Sequence, residues 1–522
     1  MPRRLFKPLR VGVALVFLAG LTAAFADFRG LVPVGLAHWL TAVQFTPALL
    51  ALGGGLAATL VLGLILGVTL AFGRVYCSTI CPLGLLQDVI ARLRGWLRPR
   101  RHPLPFVRGH PRLRYGGLGA VVVLIGVGAG GFAFTLADPY SHFGRVVSGL
   151  FRPLLVAANN ALVPGAQHLG HQWLYRVAPP WPDLGLMVSA LLILALLTGL
   201  VVWRERIYCN TLCPVGTALG LLARHAAFRL TIAREACTKC AACLRVCKAQ
   251  CLDLRHGEID ASRCVGCFNC LAACPDQGIG FAYAWGRPPA VVELEPAAFP
   301  AAPVADPARR ALLAGALWLV PAAVWPAAGP TSRDPAPRAP ATPPGAGGTE
   351  RFLAHCTACQ LCVSACPTQV LRPARWDYGF AGLAKPRLDF ERSFCNYDCR
   401  RCGEVCPTGA IAPLSLADKQ LTSVGLARLV QERCIVVTDG TDCAACSEHC
   451  PTKAVDTVPY RENLRLPRVV EELCIGCGAC EYACPVRPRR AITVTASAQH
   501  TRARKAVEVK PATRPTSGDF PF

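Results

Sequence analysis

Apolar residues gather into five long runs, at 11–27, 48–70, 116–137, 183–203 and 311–328. A helix needs ~20 such residues to cross the hydrocarbon of a bilayer, so each run is a candidate span. The fourth is the purest, LGLMVSALLILALLTGLVVW. The fifth is Ala-rich and broken by Pro321 and Pro326. The first follows a basic start, MPRRLFKPLR, as a secretion signal would. A second run follows soon after, which favours a retained helix. The fold class expected is a helical membrane domain of four to five spans, joined to α+β ferredoxin-like domains whose signature comes below.

Charge sets the orientation. Lys and Arg outnumber Asp and Glu by 55 to 32. Arg3, Arg4, Lys7 and Arg10 precede the first run, and residues 74–115 hold nine Arg against one acid, Asp88. Residues 28–47 hold one Arg and residues 138–182 three. Positive loops stay cytoplasmic, so the N-terminus and the segment after Trp203 lie inside. The basic excess sits beside apolar segments, without the aromatic platforms or motifs of a nucleic-acid binder.

The second and fourth runs end alike. RVYCSTICPLGLLQDVIAR (74–92) aligns without gaps on RIYCNTLCPVGTALGLLAR (206–224), a duplicated unit. In each, two cysteines stand four apart on one helical face. Cys77, Cys81, Cys209 and Cys213 can therefore converge at the inner membrane surface. A cluster or another thiolate metal site, a redox-active thiol pair, and two structural pairs are the readings open. The stretch 83–98 after the first copy is amphipathic and suits a helix lying on the inner leaflet.

The remaining cysteines repeat the spacing C-x2-C-x2-C-x3-C, the ligand run of bacterial-type 4Fe–4S ferredoxins. It is regular at Cys237, Cys240, Cys243, Cys247; at Cys264, Cys267, Cys270, Cys274; at Cys356, Cys359, Cys362, Cys366; and at Cys474, Cys477, Cys480, Cys484. Cys395, Cys399, Cys402, Cys406 and Cys434, Cys443, Cys446, Cys450 each stretch one gap. Three thiolates from one tight loop hold a cubane, and the fourth comes from the partner run. Structural zinc uses two separated knuckles instead, and disulfides would need distant partners. Six clusters are expected, with a seventh at the duplicated pair. Of 29 cysteines, seven quartets leave Cys251 over. It lies near Cys247, which is followed by Lys248 where the other regular runs have Pro.

The domains expected are a membrane domain at 1–225, a two-cluster ferredoxin at 226–285, a Pro/Ala linker at 286–349, a four-cluster ferredoxin at 350–495 and a disordered tail at 496–522. Within the linker, ARRALLAGALWLVPAAV (308–324) resembles an embedded twin-arginine export signal and would place the last ferredoxin outside. Because its outer two runs are regular and its inner two are not, nesting is expected there: the Cys356 run with the Cys474 run, the Cys395 run with the Cys434 run. GVGAGG at 126–131 matches G-x-G-x-x-G but lies in an apolar run and not in a βαβ unit. Close helix packing explains it, and no NAD(P) site is read.

The paired C-x3-C-P motifs followed by Cys237–Cys274 resemble the NapH and NosR kind of membrane ferredoxin. The last four runs are similar to the NapG/MauM kind of exported four-cluster ferredoxin. The resemblance implies 4Fe–4S clusters, quinol oxidation and transfer to an external reductase. An alternative is a redox or iron sensor, or an assembly factor like the FixG/CcoG membrane ferredoxins. Another is a quinol dehydrogenase component with its own quinone site, near the helix ends or the loop at 138–145. His142, His168 and His171 are candidates for such a site or for a haem. No catalytic acid or base is named, and the expected partners are an electron donor, an acceptor and the quinone pool.

Overall fold

The computed structural model describes residues 5–97, 106, 109–179, 183–233, 235–254, 256–285, 339–461 and 463–505. The run at 311–328 and its twin arginines lie outside them. The chain forms two compact units. One comprises Met1–Pro337, Glu350–Arg387 and Arg401–Pro413, the other Arg338–Thr349, Leu388–Arg400 and Leu414–Phe522.

The first unit is a helical bundle carrying ferredoxin segments. Among the described residues, three helices are long and apolar enough to cross a membrane: Phe6–Ala26, Pro139–His168 and Leu184–Trp203. Leu15, Val16, Leu60, Leu64, Val122 and Val123 face outward, an apolar exterior of the kind that marks a membrane or partner surface. The helix in the second run is Leu56–Phe72, 17 residues. The third run does not form one helix. Pro111–Gly126 stops, the chain turns through Gly128 at φ +79°, and Gly130–Ala137 resumes. The GVGAGG sequence is thus a helix break. Only part of the packing idea survives: a methyl on Gly131 would strike the Leu353 carbonyl, while Gly126 and Gly128 face open space.

Residues 138–145, expected to be a loop, instead start the helix Pro139–Val146. Asp138 caps the turn by accepting from the amides of Tyr140 (3.3 Å) and Ser141 (2.9 Å), and Pro139 suits the first helical position. A helix beginning Asp-Pro is a recognisable start signal.

Two helices run between the ferredoxin segments of this unit. Phe6, at the start of Phe6–Ala26, packs against Phe268 (5.3 Å) and, edge to face, Phe281 (5.6 Å). Phe25, at its end, meets Tyr140 (5.6 Å) and Phe143 (6.2 Å), where the Cys359 carbonyl abuts Gly144. Twenty-one residues of helix span ~30 Å. Leu184–Trp203 repeats the arrangement: Asp183 pairs with Arg372 at 3.4 Å, and Arg204 donates to Gln250 at 3.3 Å. The Cys237–Cys274 segment and the Cys356 run therefore meet opposite ends of the bundle.

The first ferredoxin segment pairs Phe228–Ile232 antiparallel with Ile279–Tyr283, and Leu252–Asp253 with Glu258–Ile259. Short helices Ala242–Val246 and Asn269–Ala273 carry Cys243 and Cys270 into a core with Leu252, Leu254, Phe268, Leu271 and Ile279.

The second unit pairs Thr422–Leu429 with Ile492–Arg502 and Val455–Pro459 with Arg465–Val469. The strand running to Arg502 carries the ordered fold past Thr495, where the tail was expected to begin. Within the stretch read as linker, Ala341, Thr342 and Ala346 are buried.

Candidate iron–sulfur sites

The duplicated motif closes on itself. Tyr76–Thr79 and the wider turn Tyr208–Leu212 carry Cys77 and Cys209. Cys81 and Cys213 stand just before the helices Pro82–Leu97 and Pro214–Ala223. All four thiols are 3–4% exposed, and each lies within electrostatic reach of the others. The shared glycine has a steric reason. A Cβ on Gly84 would run into the Cys77 carbonyl, and one on Gly216 into the Cys209 carbonyl.

The arginine opening each copy reaches across to the other. Arg74 donates to the Cys209 carbonyl at 3.0 Å, and Arg206 to the Cys77 carbonyl at 3.0 Å. They approach the sulfurs of Cys77 (3.9 Å) and Cys209 (3.8 Å). Gln87 donates to Cys209 Sγ at 3.2 Å and the Gly216 amide to Cys213 Sγ at 3.3 Å. Two fully buried guanidiniums beside four thiols suit sulfur ligands that carry negative charge. The sequence held both arginines at equal offset, but nothing in the motif marked them as partners of the thiols.

This site touches the first ferredoxin segment directly. Arg74 donates to the Ser262 carbonyl at 2.9 Å, Ser78 to Gly266 at 3.4 Å and Asn210 to Ala249 at 3.3 Å. Ser262 and Gly266 flank Cys264.

Four of the six ferredoxin runs bring their last cysteine beside the first three of a neighbouring run. Cys247 acts on Cys267 and Cys270 beside Cys264, and Cys274 packs on the core containing Cys243. Cys237 and Cys240 neighbour Cys243, whose thiol burial pushes up to about 11. Cys356, Cys359, Cys362 and Cys406 wall one small cavity in the first unit, and Cys402 lies within reach of Cys362. Cys366 lines a second cavity there. In the second unit Cys484 joins Cys434, Cys443 and Cys446, and Cys450 joins Cys474, Cys477 and Cys480. Cys395 donates its amide to the Cys477 carbonyl at 2.9 Å, and Cys399 follows in the same segment. The runs thus pair in chain order, not nested. A short connection delivers the exchanged cysteine without threading another domain, so gap length within a run was no guide to its partner.

These sets fit cubanes. The ligands are thiols, three from one loop and one from its neighbour. Among the described residues no group of three or more Cys, His, Asp or Glu side chains forms a single-ion site. A cubane presents four separate irons, one to each thiolate, and needs a wider ring.

The candidate histidines do not gather at these sites. His142 lies on the helix Pro139–Val146 with Nδ1 lacking a hydrogen-bond partner, while His168 and His171 are exposed. Residues 138–152 instead dock the Cys356 run. Arg145 donates to the Ala358 carbonyl at 3.2 Å, Ser148 meets Ser364 at 2.9 Å, and Arg152 donates to the Ser364 carbonyl at 3.2 Å. The helix Pro82–Leu97 buries Pro82 to Leu85 and Gln87 against the duplicated site. Its far end carries Trp96 82% exposed, so only that end suits an interfacial position.

A family described as "4Fe-4S binding domain" matches residues 54–101 and 184–232, the two copies of the duplicated unit. A family described as "4Fe-4S dicluster domain" matches 355–410 and 433–511. The second match joins the Cys356 run to the Cys395 run and the Cys434 run to the Cys474 run, as the thiols do. The chain is a polyferredoxin. This polyferredoxin is similar to ferredoxin-type protein NapF of Escherichia coli (strain K12), 28% identical over 144 residues, 28% of this chain and 79% of that protein. It is similar to methylamine utilization ferredoxin-type protein MauM of Methylobacillus flagellatus, 34% identical over 163 residues, 29% of this chain and 66% of that protein. Putative electron transport protein YccM of Escherichia coli (strain K12) is 23% identical over 224 residues, 42% of this chain and 54% of that protein. No solved structure matches the chain.

Proposed function

We propose that this polyferredoxin relays single electrons through 4Fe–4S clusters between the two ends of its helical unit, across the membrane. Cys77, Cys81, Cys209 and Cys213 hold a further cluster on that route. The observation that carries the reading is the contact chain itself. The helix Phe6–Ala26 separates the two ferredoxin ends by ~30 Å, too far for one direct step. The buried four-thiol centre lies against the inner one through Arg74 and Ser262. The match of a 4Fe–4S binding family to both copies supports iron–sulfur at that centre over a bare thiol pair.

The proposed ligand sets are Cys237, Cys240, Cys243 with Cys274; Cys264, Cys267, Cys270 with Cys247; Cys356, Cys359, Cys362 with Cys406; Cys434, Cys443, Cys446 with Cys484; and Cys474, Cys477, Cys480 with Cys450. Cys366, Cys395, Cys399 and Cys402 are ligands proposed from the sequence alone. Positive loops favour a cytoplasmic first ferredoxin segment, and the docking of the Cys356 run at the opposite end of the bundle favours the outside for the later runs. Several clusters favour conduction over the sensing or assembly role of FixG/CcoG-like proteins, since a sensor needs only one.

A quinol donor is a second reading with its own support. A cavity of 550 Å³ lies between Phe6–Ala26, Pro82–Leu97 and the first ferredoxin segment, apolar along Val11 and Leu18 and polar at Lys7, Arg92 and Lys248. It adjoins Asp88, beside the four-thiol centre.

The test is iron and sulfide analysis with redox-titrated EPR on the anaerobically purified full chain. Seven clusters in the intact protein, and six after Cys77→Ser with Cys209→Ser, are the expected result. Unchanged iron in that double variant would remove the membrane cluster, and zinc in place of iron would remove the relay. Bleaching of the cluster absorbance by added quinol would identify the donor.

A further inference from the structure

Cys251 belongs to neither exchanged set of the first ferredoxin segment, yet its thiol is not isolated. It is 2% exposed, and its Sγ lies 3.9 Å from Cys247 Sγ. It also makes a hydrogen bond with the Cys264 thiol. Cys247, Cys251 and Cys264 are thus a continuous row of sulfur, with the extra thiol between two residues assigned to one cluster.

The backbone is built to hold it there. Gln250 takes a left-handed conformation at φ +51°, uncommon for a residue with a side chain. Its carbonyl accepts from Arg263 at 3.2 Å, and its side chain accepts from Arg204 at 3.3 Å. The Cys251 carbonyl accepts from the Asp260 amide at 2.9 Å. Lys248 stands where the regular runs carry Pro, and it reaches Asp88 at 3.1 Å. The turn after Cys247 is therefore fixed from four sides, and it aims a fifth thiol at a four-thiol site.

We propose that the cluster held by Cys264, Cys267 and Cys270 takes its fourth thiolate from either Cys247 or Cys251. This rests on the reading above that the segment holds two cubanes. In the exchange one iron–sulfur bond to Cys247 breaks and one to Cys251 forms. The Cys251 thiol proton passes to the departing Cys247 sulfur across their 3.9 Å contact. No electron is consumed and no other reactant is needed. The cluster that adjoins the four-thiol site thereby keeps four ligands when one thiolate is lost.

The test uses the full chain purified without oxygen, as Cys247→Ala, Cys251→Ala and the double variant, read by iron content and EPR. Each single variant is expected to keep the parent's iron and show no three-iron signal. The double variant is expected to lose about one iron per chain and show that signal, as a cubane with three protein ligands does. A three-iron signal in either single variant overturns the proposal, because it makes that cysteine indispensable. Full iron in the double variant overturns it too. If Cys247→Ala does not accumulate, Cys247→Ser with Cys251→Ala is read against Cys247→Ser alone. Absence of iron from this segment in the parent protein would instead defeat the two-cubane reading.

Discussion

Asp88 and Gly220 hold equivalent positions in the two copies of the duplicated unit, 132 residues apart like Arg74 and Arg206, and a carboxylate fills one position where an arginine fills the space left at the other. The Asp88 carboxylate pairs with Arg206 at 2.7 Å, Arg10 at 2.6 Å and Lys248 at 3.1 Å. At Gly220 the missing side chain leaves room for the Arg114 guanidinium. Arg114 donates to the Ser262 carbonyl at 2.8 Å, the same oxygen that accepts from Arg74. One arginine of the pair is neutralised and the other stands beside a second cation. The four-thiol centre thus has a positive side, and that side faces Cys264.

Charge so placed sets how easily a cluster accepts an electron. Arg74→Gln should lower the midpoint potential of the four-thiol centre, because a positive neighbour is lost. Asp88→Asn should raise it, because Arg206 is unmasked. Shifts on the order of tens of millivolts are expected, read by redox-titrated EPR. Equal shifts of one sign would show that the asymmetry is electrically silent.

Asp88→Asn should also cost about 3–5 kcal/mol, since three cations are left around an uncharged amide. Burial works to raise this carboxyl, but Arg206, Lys248 and Arg10 hold it at about 2, below its ordinary 3.8. A carboxylate with a depressed folded pKa stabilises the fold above its unfolded value, and loses that contribution as the pH falls through the folded one. The contribution should be whole above about pH 4 and fade towards pH 2. Thermal unfolding of parent and variant across that window should converge at its acid end.

Gly84→Ala and Gly216→Ala should each disrupt the four-thiol centre, because the new methyl meets the carbonyl of Cys77 or Cys209. Gly63→Ala and Gly199→Ala, which face open space on neighbouring helices, are the controls. The expected readout is loss of one cluster's iron in the first pair only.

The order of pairing can be read separately. Cys484→Ser should alter the EPR signal of the cluster at Cys434, Cys443 and Cys446, and Cys406→Ser that at Cys356, Cys359 and Cys362. Nested pairing would instead have Cys484→Ser disturb the Cys356 set.

His500 gives the second unit a milder acid response. Its Nε2 meets Thr342 Oγ1 at 2.9 Å, and burial lowers the ring from 6.5 to about 4. A histidine held neutral in the fold stabilises above its unfolded pKa and less as the pH falls through 6.5 towards 4. Hydrogen exchange along Ile492–Arg502, corrected for intrinsic rates, should quicken across that range, and His500→Gln should flatten the response.

Local chemistry was legible in the sequence. The cysteine runs name their cofactor because a cubane dictates ligand spacing, and the duplication is visible because both copies meet the same steric demands at Gly84 and Gly216. Long-range choices were not. The partner of each run depends on which loops the connections bring together, and gap regularity suggested the wrong order. Residues 138–145 read as a polar loop with a candidate histidine, yet Asp138 and Pro139 start a helix that docks Cys359. Arg74 was counted among the arginines of a positive loop, since loop charge counts every arginine alike and cannot tell a buried ligand-side cation from a solvated one, and Arg206 was read only as part of the repeat.

Gly131 and Gly144 carry a final implication. Neither has room for a methyl group, because the Leu353 and Cys359 carbonyls already occupy that space. This rim of the bundle is therefore a mould cast for one particular loop. A foreign ferredoxin put in place of the Cys356 run would find no seat there, so modules cannot be exchanged at this point unless those two positions and the incoming backbone are redesigned together.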